Sequence, residues 1–250
     1  MNDAAMVWNL VAALIIGFAY LSAFVLVGGL LLRLALYIQT PVPLKIVQTP
    51  GPKSAPGVVA RIAGDVLIFP NLFQADRLLW LGAWVFHACL FLILVRHTRY
   101  FLYPVPELVI DWQTISVYAG FFFPIPALYL FWRRLASSRV LYISGLPDYI
   151  TLILLTAIAS TGMLVHYFAR VYLVYVKAFT LGLVTFAPVP PPPHPIFIVH
   201  FLLVCALLIW FPFSKLMHAG GIFFSPTRNQ IDNVLYPSYV NKWNEEVRVD

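Results

Sequence analysis

Five long apolar runs, each bounded by charged residues and almost free of them inside, decide the fold class of this 250-residue sequence. A hydrocarbon core of ~30 Å is crossed by about 20 helical residues at ~1.5 Å each. Spans are therefore expected at about 5–32, 78–96, 113–132, 149–169 and 195–217. The fifth follows the stiff run Pro188-Val189-Pro190-Pro191-Pro192-Pro193. The first has no basic segment ahead of it and exceeds the ~7–15 apolar residues of a secretory signal, so it is read as a true span. Residues 171–187 are also apolar, but Lys177 interrupts them. They are read as an interfacial helix or a lid over span four, with a sixth span as the alternative.

Composition removes the competing classes. Hydrophobic residues make up 61% of the chain and charged ones 10%, against about 25% charged in soluble domains. A water-soluble enzyme, a disordered chain and a disulfide scaffold are excluded, leaving an all-α integral membrane protein. The net charge of +6 belongs to basic loops rather than to a nucleic-acid partner. Arg33, Lys45, Lys53, Arg61, Arg77, Arg133, Arg134, Arg139, Lys215, Arg228, Lys242 and Arg248 fall on one side of the five spans. Only Arg96, Arg99, Arg170 and Lys177 fall on the other. The positive-inside rule then puts the N-terminus outside and the C-terminus in the cytoplasm.

Residues 1–219 are read as one five-span domain and 220–250 as a cytoplasmic tail. The first cytoplasmic loop, 33–77, opens with Pro and Gly, and its stretch 58–73 is amphipathic enough to lie on the membrane or against a partner. The tail carries no catalytic signature, and neither an internal repeat nor a GxGxxG or P-loop is present. Cys89 and Cys205 sit in apolar runs and read as small buried hydrophobes. No CxxCH and no cysteine cluster exist, which excludes covalent haem attachment and an iron–sulfur centre in this chain.

The histidines carry the chemistry. Ionisable side chains inside a span are costly and mark function. His87 and His97 belong to span two, His200 and His218 to span five. These spans are antiparallel, so His97 and His200 share the outer level while His87 and His218 share the inner one. Two cross-helix pairs are what axial ligation of two b-type haems requires, stacked as an electron path across the membrane. The rise along a helix fits imperfectly. His200 and His218 come out ~27 Å apart on one face, while His87 and His97 come out ~15 Å apart and roughly 80° around the axis. A kink at Pro212 and helix tilt are expected to absorb the difference. His166 and His194 read as interhelical hydrogen-bonding or interfacial groups. Arg96, Arg99 and Lys215 are candidate haem-propionate partners, with interfacial anchoring the alternative reading.

Five spans with His-x9-His on the second and His-x17-His on the fifth resemble the gamma subunit of respiratory nitrate reductase, a di-haem cytochrome b. Three further segments resemble its DsrM branch, from the membrane complex of dissimilatory sulfur metabolism. They are Tyr37-Ile38-Gln39-Thr40-Pro41-Val42-Pro43-Leu44-Lys45, Phe211-Pro212-Phe213-Ser214-Lys215-Leu216-Met217-His218 and Phe223-Phe224-Ser225-Pro226-Thr227-Arg228-Asn229-Gln230. The resemblance implies two haem b groups, His97 with His200 for the outer one and His87 with His218 for the inner. It implies a bacterial cytoplasmic membrane, and electron exchange between quinone and a cytoplasmic iron–sulfur subunit like heterodisulfide reductase (DsrK-like). The substrate chemistry would belong to that partner. A quinone site would lie by the outer haem, near Arg96, His97, Arg99 and Arg170. The alternatives are a gamma-type subunit of another respiratory complex, a transporter with a histidine proton path, and a plain membrane anchor.

Overall fold

A computed structural model describes residues 3–41, 47–48 and 50–233. Lys45, Lys242, Arg248 and the Val42–Lys45 end of the first family-like segment lie outside the described residues. The described chain is helical, with no strand among the described residues. Five helices are long and apolar enough to cross a membrane: Ala5–Gln39, Arg77–Tyr100, Gln113–Ala136, Leu146–Ala169 and Pro195–Phe213.

Helix α1 (Asp3–Gln39) runs about two turns past the end expected at residue 32. Arg33 does not stop it, because its Nε donates to the Pro212 carbonyl at 3.0 Å and so rests against the end of span five. The helix closes at Gln39–Thr40, where Pro41 disfavours helical geometry in the residue before it. In the following loop, α2 (Ala55–Leu67) starts at Ser54, whose Oγ accepts from the Gly57 amide, and α3 (Pro70–Ala75) follows. The loop and the described part of the tail fold onto each other. Arg228 Nη1 reaches the buried Asp65 carboxylate at 2.6 Å, and the Gln48 amide donates to Thr227 O at 3.0 Å.

Span two is α4 (Arg77–His97) with one further 3₁₀ turn, Thr98–Tyr100. Asp76 caps it by accepting from the Leu79 amide at 2.9 Å, and it also holds Arg133 Nη2 at 2.9 Å. The Leu79 amide first, and Arg133 after it, keep the Asp76 carboxyl below its ordinary pKa. After the short α5 (Glu107–Asp111), span three is two helices, α6 (Gln113–Phe122) and α7 (Pro124–Ala136), divided at the proline. Helix α8 (Ser138–Ile143) leads into α9 (Leu146–Leu164), which ends in a wide π turn, Val165–Ala169. Arg170 then leaves in the left-handed region at φ 44°.

The apolar segment after span four forms α10 (Leu173–Val184). Its 12 residues rise only ~18 Å, too short to span. It packs on α1 and on the turn after span two: Thr180 Oγ1 donates to Tyr100 O at 2.6 Å and Tyr20 Oη to Leu183 O at 3.1 Å. Phe179, fully buried, wedges against Phe197 and Phe201 of span five. Three aromatic rings thus select that site over the span-four end.

Span five departs most from a continuous helix. Helix α11 (Pro195–Trp210) stops two residues before Pro212, whose ring and missing N–H break the ladder. A 3₁₀ turn, Phe211–Phe213, is followed by extended Ser214 (φ −114°, ψ 174°), a second 3₁₀ turn, Lys215–Met217, and α12 (His218–Gly221). His218 therefore sits on a separate piece of chain. The straight-helix calculation for His200 and His218 therefore does not apply across this break.

The spans pack in the order one, five, four, three, two, each against the next. A buried cluster of Phe86, Cys89, Ala119, Phe123, Ala127 and Leu155 joins spans two, three and four. In lipid such clusters hold by close packing rather than by a hydrophobic force. Leu14, Phe24, Leu31, Phe91 and Leu94 are exposed on the outer faces, as a lipid solvent permits.

Candidate functional site

Spans two and five are not packing neighbours in this order, yet they meet through histidines. The His97 and His200 rings face each other with centroids 6.5 Å apart and an interplanar angle of 32°. Those of His87 and His218 lie 6.0 Å apart at 90°. His87 and His97 are ten residues apart on α4, about 15 Å of rise, so the two pairs stand at different depths.

The ring nitrogens are sorted alike in all four. Nδ1 of His87 meets Ala83 O, that of His97 meets Ile93 O, and that of His218 meets Lys215 O, each at 2.7 Å. Nδ1 of His200 meets Ile158 O at 3.1 Å. A carbonyl can only accept, so each Nδ1 carries the proton and each Nε2 presents its lone pair. Among the described residues, none of these hydrogen bonds uses Nε2.

The dimensions admit a bis-imidazole metal centre. A metal–imidazole bond is about 2 Å, and a five-membered ring of ~1.35 Å bonds places each atom about 1.15 Å from its centre. Two axial imidazoles on one iron thus have centroids about 6.3 Å apart, between the two values found here. The donor set is also right for haem, which needs two protein ligands per iron. Among the described residues no group of three or more His, Cys, Asp or Glu could hold a bare metal ion.

The surroundings differ by level. Phe69 reaches His87 edge-on at 5.2 Å from a left-handed backbone position, φ 53°, a strained geometry for a bulky residue. Phe86 flanks the same ring at 5.3 Å, and Tyr100 flanks His97 at 5.6 Å. Arg96 Nε is buried with no hydrogen-bond partner among the described residues, a cost normally offset by an acceptor. Arg99 Nη1 donates to Gln113 Oε1 at 2.8 Å. Lys215 Nζ pairs with Asp148 at 2.8 Å, joined by Arg134 at 3.9 Å, so its charge is already answered. Arg170 is exposed at the end of the π turn. His166 lies within that turn, close enough to Arg96 and Arg99 to feel both charges. His194 precedes α11, with its Nδ1 buried and unpartnered among the described residues.

Thr161 and Gly162, on span four beneath His200, were absent from the sequence reading. Thr161 Oγ1 lies 3.1 Å from His200 Nδ1. A Cβ on Gly162 would stand 3.1 Å from His200 Cε1, so glycine permits the close approach. Ser160-Thr161-Gly162, preceded by Thr156-Ala157, is a small and polar stretch of the span, the kind of signal that marks helix contacts in lipid.

Fold and site together define a multi-pass membrane protein with two histidine couples, three members within spans and the exposed His218 just beyond the fifth. The model of the nitrate reductase gamma subunit family matches residues 71–232, which hold all four paired histidines. The chain belongs to that family, a class of membrane cytochrome b subunits. The chain is 36% identical to an Hdr-like menaquinol oxidoreductase cytochrome b-like subunit from Archaeoglobus fulgidus, over 90% of this chain and 81% of that protein. The protein of the same description from Archaeoglobus profundus is 30% identical over the same shares.

Proposed function

We propose that this chain is a di-haem cytochrome b that carries electrons between a quinol in the membrane and a cytoplasmic iron–sulfur subunit. The observation that carries this reading is the pair of histidine couples at 6.5 and 6.0 Å, with every Nδ1 committed and no hydrogen bond to any of their Nε2 atoms among the described residues. His97 and His200 would hold the outer haem, His87 and His218 the inner one. Bound there, the haems supply reversible one-electron chemistry at two depths.

The chain's own residues do the rest. Four carbonyls fix the tautomer of the ligands. Phe69, Phe86 and Tyr100 wall the rings. Arg96, with its unpartnered Nε, offers a fork to a carboxylate or to a quinone oxygen, and Arg99 and Arg170 add positive charge at the same end. Lys215 is bound to Asp148 and can reach a propionate only with the ammonium N–H groups it does not spend there.

The names of the two relatives support menaquinol as the electron source and a heterodisulfide reductase-like subunit (DsrK-like) as the partner. The segments around Pro41, Pro212 and Pro226 support the DsrM branch and so a sulfur-linked complex, in a cytoplasmic membrane with the basic side inward. Four ion pairs gather at that basic end, among them Arg133–Asp76 and Arg228–Asp65, where a cytoplasmic subunit would dock.

The test is a reduced-minus-oxidised spectrum with haem quantitation on the purified chain. About two b-type haems per chain, reducible by a menaquinol analogue, are expected. His97→Ala and His200→Ala should remove one and the same haem, His87→Ala and His218→Ala the other. A folded preparation without haem would overturn the reading and leave the histidines to a proton path.

A further inference from the structure

Three of the four paired histidines are oriented by carbonyls three or four residues earlier in their own chain segment. His200 is not. Its Nδ1 points away from α11 to span four, at 3.1 Å from Ile158 O and 3.1 Å from Thr161 Oγ1. The Thr161 hydroxyl gives its own proton to Ala157 O at 2.8 Å, so its oxygen is left to accept from His200 Nδ1–H. Gly162 leaves room for the ring to lie this close.

We propose that Thr161 is a positioning residue for the outer haem, which through its hydrogen bond to His200 sets the donor strength of that ligand and hence the haem's reduction potential. This rests on the bis-histidine reading above. An acceptor on Nδ1–H draws the proton outward and makes the imidazole a stronger donor, which favours oxidised iron. Two acceptors on span four make His200 the one ligand whose strength another helix controls. Four residues beyond Thr161 that helix opens into the π turn carrying His166, a deformation common at functional sites. Anything that shifts span four at this turn therefore reaches an axial ligand directly. A threonine bonding back to its own helix is also an ordinary structural feature, so the test must read something that structure alone would not move.

Thr161→Val keeps the shape and removes the acceptor, and Thr161→Ser restores it. Both are purified with haem bound, and the haem lost in His97→Ala identifies the outer signal. Potentiometric titration and the low-spin ferric spectrum are then recorded. Thr161→Val should raise the outer haem's midpoint potential and move its ferric signal, with the inner haem unchanged and Thr161→Ser close to the parent. An unchanged outer potential in Thr161→Val with both haems bound overturns the inference and leaves the ligation intact. So does an equal shift at both haems, or a shift in Thr161→Ser as large as in Thr161→Val. Where Thr161→Val loses haem, Thr161→Ala is read in its place by the same criteria. A parent chain without haem overturns the ligation and this inference together.

Discussion

Replacing Gly29 by alanine should weaken haem binding at the inner site while sparing the outer one. A Cβ at Gly29 would stand 2.5 Å from both Cβ and Cγ of Pro212. Non-bonded carbons settle at about 3.5–4.0 Å, so α1 and the Phe211–Phe213 turn must part by about 1 Å. The proline ring cannot rotate out of the way. His218 follows six residues later on short turns, with its ring 6.0 Å from His87. A metal site tolerates only about 0.5 Å of misplacement, so the displacement exceeds what the pair can absorb. Overpacking of this kind costs about 1–3 kcal/mol, and a tenfold change per 1.4 kcal/mol makes the inner haem bind roughly 5- to 150-fold more weakly. The assay is haem per chain in detergent, with the remaining haem identified by its potential. Gly28→Ala is the control, because nothing lies within 4 Å of a Cβ there. Two full haems in Gly29→Ala with an unaltered inner potential would refute the reasoning, as would equal loss in Gly28→Ala.

Three further outcomes are expected. Asp148→Asn keeps the acceptor for the Gly145 amide but loses the ion pair with Lys215. About 1–3 kcal/mol should go, read as a lower thermal midpoint with the inner haem released first. Asp76→Asn retains the helix cap and loses the pair with Arg133. The native carboxyl is held below its ordinary value of 3.8, so its stabilisation is full above that value and is lost as pH falls through the lower folded one. The gap in thermal midpoint between parent and variant should be widest near neutrality and close in strong acid. Arg96→Gln should slow haem reduction by a quinol analogue about tenfold or more if its buried fork meets a quinone or propionate oxygen. Stopped-flow reduction checks this, and an unchanged rate and outer potential would free Arg96 of either role.

The spans and the four paired histidines were legible because each stands out by residue type: charge marks where a span ends, and an imidazole in an apolar run has few innocent reasons to be there. The break after Trp210 was only half legible. Pro212 announces a kink, but not that Ser214 is extended and that His218 starts a new segment. That α1 continues past Arg33 is not legible, because a charged residue reads as a boundary whereas this one donates to Pro212 O. The hold of span four on His200 left still less trace, since Ile158 acts through its carbonyl and every residue has one.

The break in span five also bears on how the molecule is made. A chain emerging from its N-terminus presents His87 and His97 early, but each finds its counterpart only at residue 200 or beyond. The outer couple can close once α11 is in place. The inner couple waits for a short outlying segment tied down through Asp148 and Lys215, beside a tail tied to the first loop through Arg228 and Asp65. The inner couple thus closes at the basic end of the spans, where the first loop and the described part of the tail meet.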